Sequence, residues 1–238
     1  MLQSIQRTPG GMIIVLNGFP GVGKYTILKE VQALLPADKS PRLIDNHLLI
    51  DPAAALYPGR GIHHHELRHA IREVFFPYVS RLAQEGHVVL MTACLAADND
   101  RDATVFQEHL DLVRGIDVPL YWINAYCDQV SLMQRVQGNE RIHSSKSKLT
   151  DASMLQELLN AHTLIEPQEL NDASTKLVVR SLDTSGETGE SVNRLLAIVG
   201  LQRGAESASG QIPKTRLNSI PKKDNSDSTV GSLPFCST

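Results

Sequence analysis

Lys24 is the residue whose surroundings most clearly indicate chemistry. It closes the run Gly18-Phe19-Pro20-Gly21-Val22-Gly23-Lys24, in which two glycines stand five positions apart. Glycines permit a tight turn and let backbone N–H groups approach anionic oxygens. A lysine at the end of such a turn adds a positive charge for the outer phosphates of a nucleotide. The spacing is therefore typical of a phosphate-binding P-loop.

The residues on either side of this turn support the same interpretation. An apolar run at 13–16 predicts a buried strand, and residues 25–35 have the apolar periodicity of a helix that Pro36 ends. The helix N-terminus would add its positive dipole end to the loop. We expect ATP to be bound by these residues: Gly18, Gly21, Val22, Gly23, Lys24, Tyr25 and Thr26.

Tyr25 departs from the P-loop pattern, because Ser or Thr usually follows the lysine and binds Mg²⁺. A phenol is too long to replace a short hydroxyl group at the same backbone position. Three alternatives remain: Thr26 binds the metal, phosphates and water hold it, or nucleotide binds with weak turnover. The predicted third strand also ends at Thr92 and its neighbours without the Asp that often lies near the metal, and Asp98 comes later.

Asp45 is the second candidate for catalysis. It follows the short apolar run 42–44, which we predict to be the second strand. Ligands of open α/β sheets bind at the carboxyl ends of the strands, so this carboxylate should face the outer phosphates. It could accept a proton from an acceptor hydroxyl or orient that hydroxyl for in-line attack. An Asx turn with Asn46 or His47 is the alternative.

Three further residues are expected to contact the acceptor. His47 lies beside Asp45, and Arg68 and Arg72 share one face of the helix predicted over 64–85. The two arginines could hold an anionic or polar acceptor. Salt bridges with neighbouring glutamates of the same helix, Glu66 or Glu73, are the alternative.

A basic stretch after the fourth predicted strand suggests a lid. Arg135 precedes residues 137–150, and Arg141 lies within them. A mobile basic segment there could close over the triphosphate, offset charge on the transferring phosphoryl group and exclude water. We expect both arginines to be catalytic. After the last strand, Asp183 and Thr184 could contact the nucleotide base through backbone groups, although a simple turn explains them equally well.

Strand and helix patterns alternate along the chain and predict an α/β fold with a five-stranded parallel sheet between two helical layers. The strands are expected at about 12–16, 42–44, 87–95, 119–127 and 176–182. One domain should span 12–202, after a flexible lead over 1–11. Residues 203–238 are rich in Ser, Pro, Gly and Lys and predict a disordered tail.

Composition argues against several classes of function. The net charge of −3 and an aromatic content of 5% give no reason to expect nucleic acid as a partner. No apolar run reaches the length of a membrane span, and no secretory signal is evident, so we expect a cytoplasmic protein. The three cysteines fit neither a zinc site nor a disulfide framework. Consecutive histidines at 63–65 point about 100° apart on a helix and cannot converge on one metal ion.

The P-loop, residues 45–49 (Asp-Asn-His-Leu-Leu), Glu140-Arg141 and residues 182–185 (Leu-Asp-Thr-Ser) together resemble a group of small P-loop kinase-like ATPases of the AAA-domain class. These resemble chloramphenicol phosphotransferase, gluconate and shikimate kinases, and zeta-toxin-type kinases. The resemblance covers roughly residues 12–200. It implies an adenylate-kinase-like three-layer P-loop NTPase core with a lid, Lys24 on the phosphates, Asp45 near the acceptor, and lid arginines at 135 and 141.

The leading hypothesis is a kinase that moves the γ-phosphoryl group of ATP, with Mg²⁺, to a hydroxyl of a small-molecule acceptor. A nucleotide-binding ATP hydrolase or regulatory protein with little kinase activity is the second, motivated by Tyr25 and the missing strand-three Asp. A kinase for nucleotides or nucleic-acid ends is the third. The sequence does not indicate the acceptor or the oligomeric state.

Overall fold

The computed structural model describes residues 10–137, 152–171 and 174–204. Strands of these residues form one sheet in the order β2-β3-β1-β4-β6-β5. The strands are β1 (Met12–Asn17), β2 (Arg42–Ile44), β3 (Val88–Ala93), β4 (Pro119–Tyr126), β5 (Leu170–Asn171) and β6 (Lys176–Asp183).

Five of the strands are parallel, as the sequence predicts. β1 lies between β3 and β4, with Ile14 opposite both Leu90 and Tyr121. β2 pairs with β3, and β6 pairs with β4. The sixth strand, β5, pairs antiparallel with β6 at the edge. It was not predicted, because two residues are too short to show an alternating pattern.

Helices connect the strands and cover the sheet. They are α1 (Lys24–Leu34), α2 (His47–Leu56), α3 (Ile62–Gln84), α4 (Asp100–Asp111), α5 (Gln129–Gln137), α6 (Ala152–Ala161) and α7 (Thr188–Val199), with a 3₁₀ turn at Ala37–Lys39. None of the helices in the described residues is long and apolar enough to cross a bilayer.

α2 is the main difference from the sequence prediction, which had a loop with short helical pieces over 48–60. The segment forms a ten-residue helix despite Pro52. Leu49 and Ala53, four positions apart, are buried on its inner face. Burial of this face outweighs the weak local signal, because most helix stability in proteins comes from tertiary packing.

The apolar core lies in two layers, one on each face of the sheet. Ile13 and Val15 of β1 face a cluster that contains Val79 of α3 and Trp122 of β4. The alternate residues of β1 face a second cluster, built from α1 and α7. Successive side chains of a strand point to opposite faces, so both faces of a parallel sheet need covering. The three-layer architecture follows from this pattern.

The carboxyl ends of the parallel strands meet at one edge of the sheet. β1 leads there into the P-loop, β2 into Asp45, β3 into residues 94–99, and β6 into Thr184. Arg141 and most of the predicted lid, as well as the lead and the tail, lie outside the described residues. The predictions for those segments stay predictions.

Candidate functional site

The P-loop is fixed to the sheet at its first residue. The backbone N–H of Gly18 donates to the carbonyl oxygen of Ala93 in β3 over 3.2 Å. A Cβ on Gly18 would lie 2.6 Å from the carbonyl oxygen of Ala125 in β4. No side chain fits at that distance. Gly18 therefore lets the loop start in the groove between the two strands that flank β1.

The loop then turns through two left-handed glycines. Gly21 has φ of 99° and Gly23 has φ of 88°, values that L side chains rarely adopt. Lys24 opens α1, and the first bond of the helix runs from the Ile27 N–H to the Gly23 carbonyl oxygen over 3.0 Å. The first turn of a helix directs its N–H groups out of the N-terminus. The loop thus has the backbone conformation that a phosphate cradle requires.

The Lys24 ammonium group folds back over this loop. Its Nζ donates to the carbonyl oxygens of Gly18 and, at 2.9 Å, of Phe19. It also lines the large cavity at the sheet edge. The positive charge is therefore held at the mouth of the cradle, where the phosphate oxygens of a nucleotide would lie.

Two asparagines, which the sequence analysis did not identify, hold the strand ends together. Asn17 accepts from the N–H of Leu95 at 2.8 Å and donates to the side chain of Asn124 at 3.0 Å. Asn124 in turn donates to the carbonyl oxygen of Ile165 at 2.9 Å. Asn17 and Asn124 are paired in register on β1 and β4. The signal that could have indicated them is a single asparagine at the end of the apolar run in β1 and near the end of the run in β4.

Asp45 lies at the end of β2 and is buried, with 7% of its surface exposed. Its Oδ1 accepts from the hydroxyl of Thr92 at 2.9 Å, and the same hydroxyl accepts from the N–H of Asn46 at 2.8 Å. Thr92 therefore positions both the carboxylate and the backbone that follows it. Asp45 also lines the cavity, as its predicted place at the strand end requires.

The residues after Lys24 provide few metal ligands. Tyr25 and Thr26 are both exposed at the start of α1 and line the cavity. Within the described ranges, no three His, Cys, Asp or Glu side chains cluster closely enough to hold a metal ion. These residues could hold Mg²⁺ only if nucleotide phosphates and water provided most of its ligands, as this ion commonly allows.

Arg135 lies in α5, before the segment predicted as the lid. Its guanidinium donates to the carbonyl oxygens of Thr184 at 2.8 Å and Gly186 at 3.0 Å. It thereby holds the loop after β6 against α5, and both Arg135 and Thr184 line the cavity. The predicted action of Arg135 on the transferring phosphoryl group stays a prediction.

Asp183 is engaged within its own turn. Its Oδ1 accepts from the N–H and the hydroxyl of Ser185 at 2.9 and 2.6 Å, and the hydroxyl bond is the main reason that the pKa of Asp183 lies below its usual value. The side chain of Asp183 is not among those that line the cavity. Its direct contribution is to shape the loop that presents Thr184.

Arg72 forms an ion pair, but with a different partner from those considered in the sequence. Its Nε and Nη2 donate to both oxygens of Glu108 in α4, the second over 3.2 Å. The carboxylates of Glu66 and Glu73 are 63% and 65% exposed, whereas the Arg72 side chain is 7% exposed. Salt bridges of Arg72 to Glu66 or Glu73 were therefore a wrong alternative, because the buried face of α3 meets α4 and the two glutamates face solvent.

Arg68 lies one turn before Arg72 and lines the same cavity. Its Nε is buried and has no hydrogen-bond partner among the described residues. Burial, followed by the charges of Arg72 and Arg60, lowers the pKa of Arg68 to about 10. Arg68 is thus a partly desolvated cation, and the neighbouring arginines outweigh Asp102 and Glu108 in their effect on its pKa.

The histidines near these arginines differ in position. His47 opens α2, lines the cavity and forms a hydrogen bond of 3.2 Å from Nδ1 to Asp51. His64 is buried and pairs its Nδ1 with the carbonyl oxygen of Tyr57 at 3.0 Å. His65 lines the cavity, and burial together with the charge of Arg101 lowers its pKa.

One cavity of about 1340 Å³ connects these groups. Its wall includes the P-loop, the ends of β2 and β3, the inner face of α3, the start of α4, and Arg135. The start of α4 contributes Arg101 and Asp102, which the sequence analysis did not identify. Isolated charges on a helix give no signal of which neighbouring helix they face.

Comparison with known proteins gives a match in structure but not in sequence. No protein-family model matches the chain, and no curated protein does. A putative kinase from Chloroflexus aurantiacus matches with a TM-score of 0.53 and 13% identity over 79% of this chain and 98% of that one.

Two further structures match similarly. A sugar kinase from Janibacter sp. has a TM-score of 0.50 and 16% identity over 80% of this chain and 95% of that one. A tunicamycin resistance protein from Deinococcus radiodurans has a TM-score of 0.50 and 16% identity over 82% and 99%. Likeness at such identities concerns the fold. Together with the P-loop and the strand order, it shows that the chain has the α/β fold of the small P-loop kinases.

Proposed function

We propose that this protein transfers the γ-phosphoryl group of ATP to a hydroxyl group of a small molecule. The observation that carries the proposal is that Lys24 of the P-loop and Asp45 line one and the same cavity. Ligand pockets usually measure about 300–1,000 Å³. A cavity of about 1340 Å³ has room for a nucleotide and a second small substrate.

The two residues support different parts of the reaction. The acceptor oxygen attacks the γ-phosphorus, the bond from that phosphorus to the bridging oxygen breaks, and ADP leaves. Lys24 and the backbone N–H groups of the P-loop offset the charge on the phosphate oxygens. Asp45, held by Thr92, orients the acceptor hydroxyl and takes its proton.

Mg²⁺ bound with the nucleotide would offset the negative charge of the phosphate groups. Thr26 carries a short hydroxyl two positions after the P-loop lysine, and we assign it the protein contact to the hydrated ion. Thr26 is itself exposed and lines the cavity, so a hydrated ion there could contact it.

The nucleoside is assigned to the side of the cavity near β4 and β6. Arg135 holds the carbonyl oxygens of Thr184 and its successors there, at the opposite side of the P-loop from Asp45 in the strand order. Backbone groups of this loop would contact the base, and the Arg135 guanidinium would keep the loop in place. Arg141 stays assigned to the lid that closes over the phosphates.

The test uses the full chain with ATP, Mg²⁺ and a panel of small hydroxyl compounds, followed by mass spectrometry for phosphorylated products. Lys24→Met should weaken ATP binding by tenfold or more, since a charge-assisted contact is lost. Lys29→Met is the matched control, because Lys29 is exposed on the same helix and its replacement should leave ATP binding unchanged. Equal ATP affinity in Lys24→Met and wild type would refute the proposal.

A nucleotide-binding protein with little transfer activity is the second candidate. Tyr25 in the usual metal-ligand position and Thr92 in place of a strand-end Asp favour it. Tight ATP binding that depends on Lys24, without a phosphorylated product across the panel, would support this candidate. Rapid transfer to any small hydroxyl compound would exclude it.

A further inference from the structure

We propose that the acceptor carries an anionic group, a carboxylate, sulfate or phosphate, and that Arg68 binds this group on the cavity wall formed by α3 and α4. The inference rests on the proposed function and names the class of its acceptor. The hydroxyl that receives the phosphoryl group and the anion would belong to the same small molecule.

The first argument compares two neighbouring arginines. Arg72 is neutralised, because both oxygens of Glu108 accept from its guanidinium. Glu108 is also bound by His69, whose Nδ1 lies 2.7 Å from Oε1. Arg68 shares the cavity but forms no ion pair with a carboxylate of the described residues, and its buried Nε has no partner among them. Its positive charge is therefore left for a ligand.

The second argument is the charge that surrounds Arg68. Arg60, Arg72 and Arg101 all face this part of the cavity. Asp102 is the nearby carboxylate, and its Oδ2 already accepts from the backbone N–H of Ala96 at 2.8 Å. Burial raises the pKa of Asp102, so its charge is itself poorly stabilised there. The wall is positive on balance, with four arginines against Glu108 and Asp102.

Two titratable groups show the effect of this field. The pKa of Arg68 falls to about 10, through burial and then the charges of Arg72 and Arg60. The pKa of His65 is lowered by burial and then by Arg101 and Arg68. A partly desolvated cation that no carboxylate pairs is costly, and an anion beside its guanidinium would remove part of that cost. Because Arg68 lines the cavity and forms no ion pair among the described residues, this wall favours an anionic ligand over a neutral one.

The position of this wall in the fold separates it from the nucleotide site. α3 follows β2 and α2 in the chain, and α4 follows β3, so the wall lies on the β2–β3 side of β1. Arg135 and Thr184 lie on the β4–β6 side. Asp45 stands at the end of β2. The anionic group of the acceptor would thus bind on the same side of β1 as Asp45. The nucleoside would bind on the other side.

The experiment measures sulfate as the probe, with the P-loop filled by a saturating non-hydrolysable ATP analogue and Mg²⁺. Sulfate should raise the melting temperature of wild type in a saturable manner. Arg68→Met should weaken the apparent sulfate affinity about tenfold or more, as expected for loss of a charge-assisted contact. Arg81→Met is the matched control on α3, since Arg81 is exposed and pairs with Glu85, and should behave like wild type. Absence of a saturable effect, or an equal effect in Arg68→Met, overturns the inference.

Kinetics with matched acceptors provide a second readout. A sugar acid and the corresponding polyol, or a sugar phosphate and its parent sugar, differ in the anionic group alone. The anionic member should have the higher kcat/KM, and Arg68→Met should raise its KM while the KM for ATP stays constant. Equal transfer to neutral members refutes the inference and leaves the proposed function standing. If wild type transfers phosphate to none of the acceptors, the proposed function is refuted. The sulfate titration then still decides whether Arg68 binds an anion.

Discussion

Removal of the Thr92 hydroxyl should reduce both the stability and the activity of this protein. Thr92 is 6% exposed, and its Oγ1 donates to Asp45 at 2.9 Å and accepts from the N–H of Asn46 at 2.8 Å. Thr92→Val replaces this hydroxyl by a methyl group of nearly the same size. The substitution therefore deletes two hydrogen bonds without opening a cavity.

The size of the effect follows from the two bonds. A hydrogen bond to a charged group contributes about 1.5–3 kcal/mol and a neutral bond about 1 kcal/mol, and a buried donor left without a partner adds to the loss. We expect Thr92→Val to lower the free energy of unfolding by about 2–4 kcal/mol. Thr92→Ser keeps the hydroxyl and loses one methyl group, which should cost about 1 kcal/mol.

Urea unfolding and steady-state kinetics check this prediction together. In Thr92→Val, Asp45 loses the hydroxyl donor at 2.9 Å and keeps the longer contact from the N–H of His47 at 3.5 Å. If Asp45 acts as proposed, kcat should fall about 100-fold, as expected for a misplaced catalytic group, whereas the KM for ATP should stay near that of wild type. Thr92→Ser should retain most of kcat. If Thr92→Val is as stable and as active as Thr92→Ser, the hydroxyl neither holds nor orients Asp45, and the reasoning is refuted.

Three further predictions concern other contacts. Burial lowers the pKa of His109 from 6.5 to about 4, so between these pH values the unfolded chain takes up a proton that the folded chain does not. The free energy of unfolding should therefore fall by roughly 3 kcal/mol as the pH drops from about 6.5 to about 4. Urea titrations should show a weaker effect of acid in His109→Leu. Glu108→Gln should cost about 3–5 kcal/mol in urea unfolding, because it leaves Arg72 buried without its charge partner, and Arg72→Met in the same chain should recover part of the loss. Gly18→Ala places a Cβ 2.6 Å from a carbonyl oxygen of β4, so calorimetry should detect weaker ATP binding and a lower melting temperature, whereas Gly59→Ala, with no atom within 4 Å, should change neither.

The parallel strands could be predicted from sequence because their signals are local. The apolar runs that became β1 and β3 are buried throughout or nearly so, as expected for strands covered on both faces. The P-loop could likewise be predicted, since its conformation depends on glycines within a few residues of Lys24. The position of Asp45 could be predicted because it directly follows a strand, and the carboxyl ends of parallel strands meet at one edge of the sheet.

Contacts between distant elements could not be predicted in the same way. Arg72 and Glu108 are 36 positions apart, and nothing within α3 indicates that its buried face meets α4. The nearby glutamates of α3 satisfied the spacing rule for salt bridges but face solvent. Arg135 shows the same limit, because its carbonyl partners lie about 50 residues later in the chain.

The missing carboxylate at the end of β3 has a structural counterpart in the neighbouring strand. Ile44 pairs with Met91, so Asp45 and Thr92, the next residues of β2 and β3, lie side by side. Their hydrogen bond brings a carboxylate from β2 to the strand end at which the sequence pattern would expect one from β3. A second carboxylate at position 92 would repel the first in this buried place, since like charges at close range disfavour ionisation of both. Thr92 is therefore better understood as the partner of Asp45 than as a defect of the proposed nucleotide site, and the departure from the motif by itself is weak evidence against catalysis.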